Sequence, residues 1–317
     1  MSKLPVTIRS PFESLQLTQA RSKRLDTIHL VREQRENRSQ DLAFHARPFI
    51  LCGIPLRRPP TSQLVHTRHN GKFSLQIVGH PQFGLPYGQD RLVPIWVATL
   101  AVRQKSRVVH FSNAAEMLSF FRLSLDGRHY RRLVQAFQRV FAATIFLGSD
   151  ERPEPSQIFD WDRFHFFDQV RLWFNPSASG FGNSSEATQN TITLSQAFYG
   201  EIDQHRIPVE REAVAALANA PGLLDFYLWI VWKSWTVHGQ PARVPLFGPS
   251  GLCEQLGTEE YSEPRFFRRK IHFWLRHVSA LWPYCPARIS QDGKSLTIYS
   301  SRHAPAICGL EKSVKLS

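Results

Sequence analysis

The sequence predicts an α+β fold in which one unit, a helix cluster ending in a hairpin, occurs twice. Three observations predict it. First, residues 128–141 (RHYRRLVQAFQRVF) and 264–281 (PRFFRRKIHFWLRHVSAL) share one pattern. Apolar residues recur at helical spacing on one side of each, and arginines fill the other. Second, each is preceded by helix, short strand and helix, and followed by strand-forming residues. Third, Asp292-Gly293 separates two short strand-like segments, and Asp-Gly in that setting is a strong hairpin signal. Helix, strand, helix, helix, hairpin is the order of a winged helix-turn-helix. The chain therefore reads as two such domains in tandem, at residues 46–194 and 195–300. A flexible, partly disordered basic arm (1–45) precedes them and a tail (301–317) follows.

The elements of the first domain follow from local chemistry. Residues 73–78 alternate weakly and predict a strand, and Gly84 to Gly88 (GLPYG) reads as a turn. Asp90 opens a helix with Leu92, Val93, Trp96, Val97, Leu100 and Ala101 at core spacing. Pro94 is tolerable only near its start. Val108 to Phe111 predicts a strand, and Ser112 an N-cap for the helix at 114–121. Gly127 breaks the chain before the first Arg-rich helix. Residues 142–147 are β-branched and aromatic and predict a strand. The turn at 148–157 is acidic and proline-containing, 162–173 returns as one or two strands, and 191–194 closes the sheet. Residues 175–189 (NPSASGFGNSSEATQ) read as a flexible linker.

In the second domain Pro208 is placed as the first residue of a short helix, with Glu210 and Glu212 in its first turn. Pro221 opens a long buried helix. A short strand at 242–245 and a short helix at 247–256 lead through a turn at 259–263 into the second Arg-rich helix. The hairpin at 287–289 and 296–299 ends the domain.

Charge narrows the partners. Of 317 residues, 39 are Lys or Arg and 26 are Asp or Glu, a formal net charge of +13. That field attracts polyanions, either nucleic acid or an acidic membrane surface. The apolar runs at 92–102 and 223–232 are too short to span a bilayer, so no membrane segment is expected. The start MSKLPVTIRS has no apolar signal core. Cys52, Cys253, Cys285 and Cys308 form no C-x-x-C pair, so neither a zinc site nor a disulfide framework is implied. A reducing cytoplasm is the expected setting.

The two Arg-rich helices are the candidate readers of double-stranded DNA. In the first, Tyr130, Leu133, Val134, Phe137 and Phe141 form the apolar stripe. Arg128, Arg131, Arg132, Gln135, Gln138 and Arg139 take the remaining surface. Arg forks onto guanine and Gln onto adenine in the major groove. In the second, Phe267, Ile271, Trp274 or Leu275, Val278 and Leu281 form the stripe, opposite Arg265, Arg268, Arg269, His272 and Arg276. Residues 265–281 contain no Asp or Glu. Solvated helix faces usually mix signs, and like charges at i,i+4 destabilise by a few tenths of a kcal/mol per pair, so a polyanionic partner would relieve this face. Lys294, at the hairpin tip, is the candidate phosphate contact of the wing. Such contacts position the protein and do not specify sequence.

Enzyme signals are poor. Asp292-Gly293-Lys294-Ser295 ends like a phosphate-binding loop, but Arg288 stands where its first glycine belongs. Leu252 replaces the second glycine of a nucleophile elbow at Gly248. There is no H-x-H pair of the nicking-enzyme kind and no H-E-x-x-H. No catalytic residue, cofactor or metal is expected.

Several strings carry a family resemblance. They are LPYGQDRLVPIWVATLAVRQKSR from Leu85, FSNAAEMLSFFRL, DGRHYRRLVQAFQRVFAATIF, VRLWFNP, ITLSQAFYGEI, IPVEREAVAALANAPGLLDFYLWIVWKSW and FFRRKIHFWLRHVSALWPYCPARI. In that order they resemble the plasmid-encoded RepA replication initiator family, over roughly residues 53–300. The resemblance implies two winged-helix domains that bind direct repeats (iterons) at a plasmid origin. It also implies opening of adjacent A+T-rich duplex and recruitment of a host initiator and the replicative helicase. Many members repress their own promoter and dimerise through the first domain. The 175–189 loop departs from the family in length and polarity, which bears on interdomain spacing. The alternative is a winged-helix transcriptional repressor on operator DNA. It shares every physical feature and lacks only origin opening and contact with the helicase machinery.

Overall fold

A computed structural model describes residues 19–301, save 72, 114, 150–160, 173–189, 249 and 257–262. The expected loop at 175–189, most of the tail and the start of the arm lie outside the described residues. The chain begins with helix α1 (Gln19–Glu36), strand β1 (Leu42–Ala46) and helix α2 (Arg47–Leu51). Strands β2 (Val65–Asn70) and β3 (Phe73–Val78) follow, then a 3-10 turn at Gly88–Arg91 and helix α3 (Leu92–Gln104). Next come β4 (Val108–Phe111), α4 (Ala115–Phe120), α5 (Gly127–Ala142), β5 (Thr144–Ser149), β6 (Trp161–His165), β7 (Phe167–Arg171) and β8 (Asn190–Leu194). The remaining elements are α6 (Gln196–His205), β9 (Arg206–Glu210), α7 (Arg211–Leu217), α8 (Pro221–Thr236), β10 (Ala242–Pro245), α9 (Leu252–Gln255), α10 (Pro264–Leu281), β11 (Ala287–Ile289) and β12 (Ser295–Ile298). Helices and antiparallel sheets together make this an α+β protein.

Among the described residues the strands form four small sheets, ordered β2-β3-β5-β6, β4-β8-β7, β10-β12-β11 and β1-β9. The β4-β8-β7 sheet corrects one expectation. Residues 191–194 do not close the sheet that holds β5; they form the centre strand between β4 and β7. The chain changes sheet at Phe166, whose ring is buried against Phe49 and Phe198. That burial separates β6, paired with β5, from β7.

Local chemistry sets the helix ends. The Ser195 hydroxyl accepts from the Phe198 N–H and caps α6, a helix the sequence reading left out. Asn113, rather than the expected Ser112, accepts from the Glu116 N–H at the start of α4. Lys105 ends α3 in the left-handed region at φ 50°. Pro208 does not open a helix. It lies in β9 opposite Phe44 of β1, and a proline is tolerated there because a two-stranded ribbon has only edges. The helix begins at Arg211 instead.

The segment expected to be a flexible arm is largely folded from Gln19 onward. Val31 of α1 is buried. The Arg32 Nε donates to the Ala280 carbonyl of α10 at 2.9 Å. Arg35 bridges Glu210 at 2.8 Å and lies 4.5 Å over the Trp282 ring. Together with the β1-β9 ribbon, this places α1 and β1 against the second half of the chain. The buried apolar residues of both halves join in one continuous core.

Candidate nucleic-acid interface

Helix α10 carries the clearest site. Its first residue, Pro264, supplies a φ suited to a helix start. Phe267, Ile271, Trp274, Val278 and Leu281 are buried, at the i, i+4, i+7, i+11, i+14 spacing of one helix face. Trp274, not Leu275, completes the stripe; it is 3% exposed and Leu275 is half-buried. Trp274 packs on Phe226 of α8 at 5.8 Å. The packing is close, because a Cβ on Gly222 would stand 2.7 Å from the Trp274 ring. The α10 backbone is thus fixed by its buried side.

The opposite side faces solvent. Arg265, Arg268, Arg269, His272 and Arg276 are all exposed. Among the described residues no carboxylate pairs with Arg268, Arg269 or Arg276. Arg265 pairs with Glu263 at 2.5 Å on the exposed helix start. Arg268 lies 5.5 Å over the Phe247 ring, and Arg265 and Arg269 lie 5.0 and 5.4 Å from the Phe266 ring. Lys270, which the sequence reading did not single out, is half-buried and lies 5.8 Å from Phe273 and 5.6 Å from Trp274. Its position between Arg269 and Ile271 was the available signal.

The hairpin after α10 is built as its sequence implies. The Asp292 carboxylate accepts from the Ser290 hydroxyl and from the Lys294 N–H, and these bonds hold it below the usual carboxylate range. Gly293 takes φ 62°, which glycine adopts without strain. Lys294 is exposed at the tip. Arg243 of β10 reaches Asp292 at 2.9 Å and so braces the turn; it is a further exposed cation beside Lys294.

Helix α5 is the second candidate. The Asp126 carboxylate caps it by accepting from the His129 N–H at 2.9 Å. Leu133, Ala136, Phe137 and Val140 are buried. Arg128, Arg131, Arg132, Gln135 and Gln138 are exposed as expected. Two assignments are corrected. Phe141 is not in the buried stripe; it is 41% exposed, in the last turn of the helix. Arg139 is not on the cationic face. It is 8% exposed, and its guanidinium forks onto Asp90 at 2.6 and 2.9 Å and lies 4.6 Å over the Tyr87 ring. Burial alone would ease its proton off, but the Asp90 carboxylate outweighs that and holds the charge more firmly than usual. Arg139 fastens α5 to the turn before α3 and is unavailable to a ligand.

Arg91, next to that carboxylate, makes the matching bond to the second half. It forks onto Asp225 of α8 at 2.7 and 2.8 Å and donates to the Ile54 carbonyl at 2.9 Å and to the Gly88 carbonyl. Burial pushes the Asp225 carboxyl upward, against the pull of Arg91. Asp90 therefore secures α5, while Arg91 secures α8, on which α10 packs. This is the role of the GQDR string in the fold.

Among the described residues no group of three or more His, Cys, Asp or Glu is placed to hold a metal. No helix among them is long and apolar enough to cross a membrane.

Fold and site together define an α+β protein with exposed cationic helices. Residues 135–244, about a third of the chain, match the model of a family described as plasmid encoded RepA protein. The match runs from within α5 to within β10. No curated protein matches the chain in sequence. Two similar solved structures are crystal structures of domains 2 and 3 of RctB. The selenomethionine form is 15% identical over 78% of this chain and 94% of that one, at a TM-score of 0.49. The other is 14% identical over 78% and 95%, also at 0.49.

Proposed function

We propose that the chain is a plasmid replication initiator that binds direct repeats at its origin as duplex DNA, without making or breaking a covalent bond. The observation that carries this is the exposed side of α10. It presents Arg265, Arg268, Arg269, His272 and Arg276 with no carboxylate inside the helix, on a backbone clamped from behind and followed by a hairpin with Lys294 at its tip. The order α8, β10, α9, α10, β11 and β12, with β12 paired to β10 and β11, supports reading this half as a winged helix. In this reading α10 enters a major groove and the hairpin tip touches phosphate. The elements α3, β4, α4, α5, β5 and β6 repeat the order but not the pairing, since β4 pairs with β8 and the β5–β6 hairpin with β3; in this reading α5 enters a second groove through Arg128, Arg131, Arg132, Gln135 and Gln138.

The family match at residues 135–244 supports the initiator role over that of a simple repressor. Two grooves held at a spacing set by the Asp90 and Arg91 ion pairs let binding energy act on DNA shape. Bending a site of this size costs about 1–6 kcal/mol, which phosphate contacts of the cationic faces can offset. Local opening and contact with a host initiator and helicase belong to the same reading, in the cytoplasm, as does a homodimer.

Footprinting of the purified protein on the origin of the plasmid that encodes it is the test. Protection of a row of direct repeats beside an A+T-rich segment is expected. Protection confined to a promoter operator, with no repeats protected, would favour the repressor instead.

A further inference from the structure

Helix α10 also exposes two aromatic rings that its packing does not use. Phe266 is 37% and Phe273 45% exposed, while the other large aromatics of the helix, Phe267 and Trp274, are buried. One exposed phenylalanine needs no explanation. Two on one helix, set among cations, form a pattern. At about 100° per residue, Phe273 stands about 40° round the helix from Arg269, and Phe266 about 60° from it on the same side. The rings thus line one flank of the arginine face. Arg265 and Arg269 lie 5.0 and 5.4 Å from the Phe266 ring, Lys270 lies 5.8 Å from the Phe273 ring, and the His277 ring lies 4.0 Å from that of Phe273, tilted by 42°.

The surroundings decide what can cover these rings. A protein partner seated on them would have to desolvate Arg269 and Lys270 beside them, with no carboxylate in the helix to help. Charges buried without partners are costly. Duplex DNA neutralises those cations with phosphates. It also offers an apolar group in the major groove, the C5-methyl of thymine, which phenylalanine can contact. We infer that Phe266 and Phe273 read thymine methyl groups, so that the preferred sites carry thymine where the flank of α10 meets the base edges. The inference rests on the reading that α10 lies in a major groove, and it adds the base class that the arginines alone do not select.

The test begins with selection of bound duplexes from a randomised pool by the full-length protein. The best duplex is then remade with deoxyuridine at each enriched thymine, which removes only the methyl. The wild type should bind the deoxyuridine duplex more weakly, by on the order of fourfold per methyl lost. Phe266→Ala/Phe273→Ala should bind both duplexes alike, and Phe273→Leu should keep part of the discrimination. Both rings are half in solvent, so the variants should melt like the wild type, and circular dichroism checks this. If the wild type prefers the selected duplex to a scrambled one yet binds the thymine and deoxyuridine forms equally, the inference fails and the groove reading stands. If the pool yields no preferred sequence at all, the groove reading itself fails and takes the inference with it.

Discussion

Replacing Arg139 with Ala removes one half of a buried ion pair and leaves the Asp90 carboxylate without its partner. The pair is a two-bond fork at 2.6 and 2.9 Å, with side chains only 10% and 6% exposed, so solvent screens it little. Breaking such a pair from one side costs about 3–5 kcal/mol, because a buried charge is left uncompensated. The lost contact with the Tyr87 ring at 4.6 Å acts in the same direction. Urea unfolding followed by tryptophan fluorescence reads the effect. With a slope of about 3 kcal/mol per molar urea, the midpoint should fall by roughly 1–1.7 M. Asp90→Asn/Arg139→Met, which removes both charges, should cost less than Arg139→Ala alone. DNA affinity measured where Arg139→Ala remains folded should stay close to wild type. An Arg139→Ala protein of unchanged stability with weakened DNA binding would refute the reasoning and return Arg139 to the binding face.

Three further outcomes are expected. Gly222→Ala should destabilise by about 1–3 kcal/mol, the usual cost of overpacking, because the new Cβ would stand 2.7 and 2.9 Å from Trp274 ring atoms. An unchanged thermal midpoint would show that α8 and α10 are less closely packed. Burial, then the nearby Arg91 charge, lowers the His45 value from 6.5 to about 3. The unfolded chain therefore binds the extra proton between those values, and the stability that this histidine contributes falls as pH drops through that window, by about 1.4 kcal/mol per unit. Relative to His45→Leu, the wild type should lose roughly 2 kcal/mol between pH 7 and 5; parallel stability profiles would contradict the buried neutral state. Arg91→Ala should destabilise more than any exposed α10 arginine replacement, since it leaves Asp225 and two carbonyls without their donor; equal melting of the two classes would argue against the clamp.

What was legible in the sequence was what local pattern controls. The α10 stripe follows from 3.6-residue periodicity, save the choice between Trp274 and Leu275, and the turn before β12 from Asp292-Gly293. What decided Arg139 was not local. Residue 139 lies between the buried Phe137 and Val140, at the edge of the apolar face, where spacing permits either side. Its fate was settled by Asp90, forty-nine positions earlier. The same holds for Pro208, whose strand exists only because β1 lies opposite it. Helix α1 was only faintly legible for a related reason. Its anchors are mostly polar, with Arg32 bonded to the Ala280 carbonyl and Arg35 to Glu210, and beside them Ile28, Leu30 and Val31 make only a weak apolar stripe. Phe266 and Phe273 were passed over because periodicity marks them only as lying outside the Phe267 stripe, and packing decides how far such rings stay exposed.

The measurement that bears most directly on the account is the salt dependence of duplex binding by the wild type and by Arg268→Ala/Arg269→Ala/Arg276→Ala. Each phosphate contact contributes about 0.9 to the log-log slope. The wild-type plot should be steep, and the triple variant shallower by roughly 2.7 if all three arginines meet phosphates, with its melting temperature unchanged. Equal slopes and equal affinities for the two proteins would mean that this face of α10 does not touch DNA.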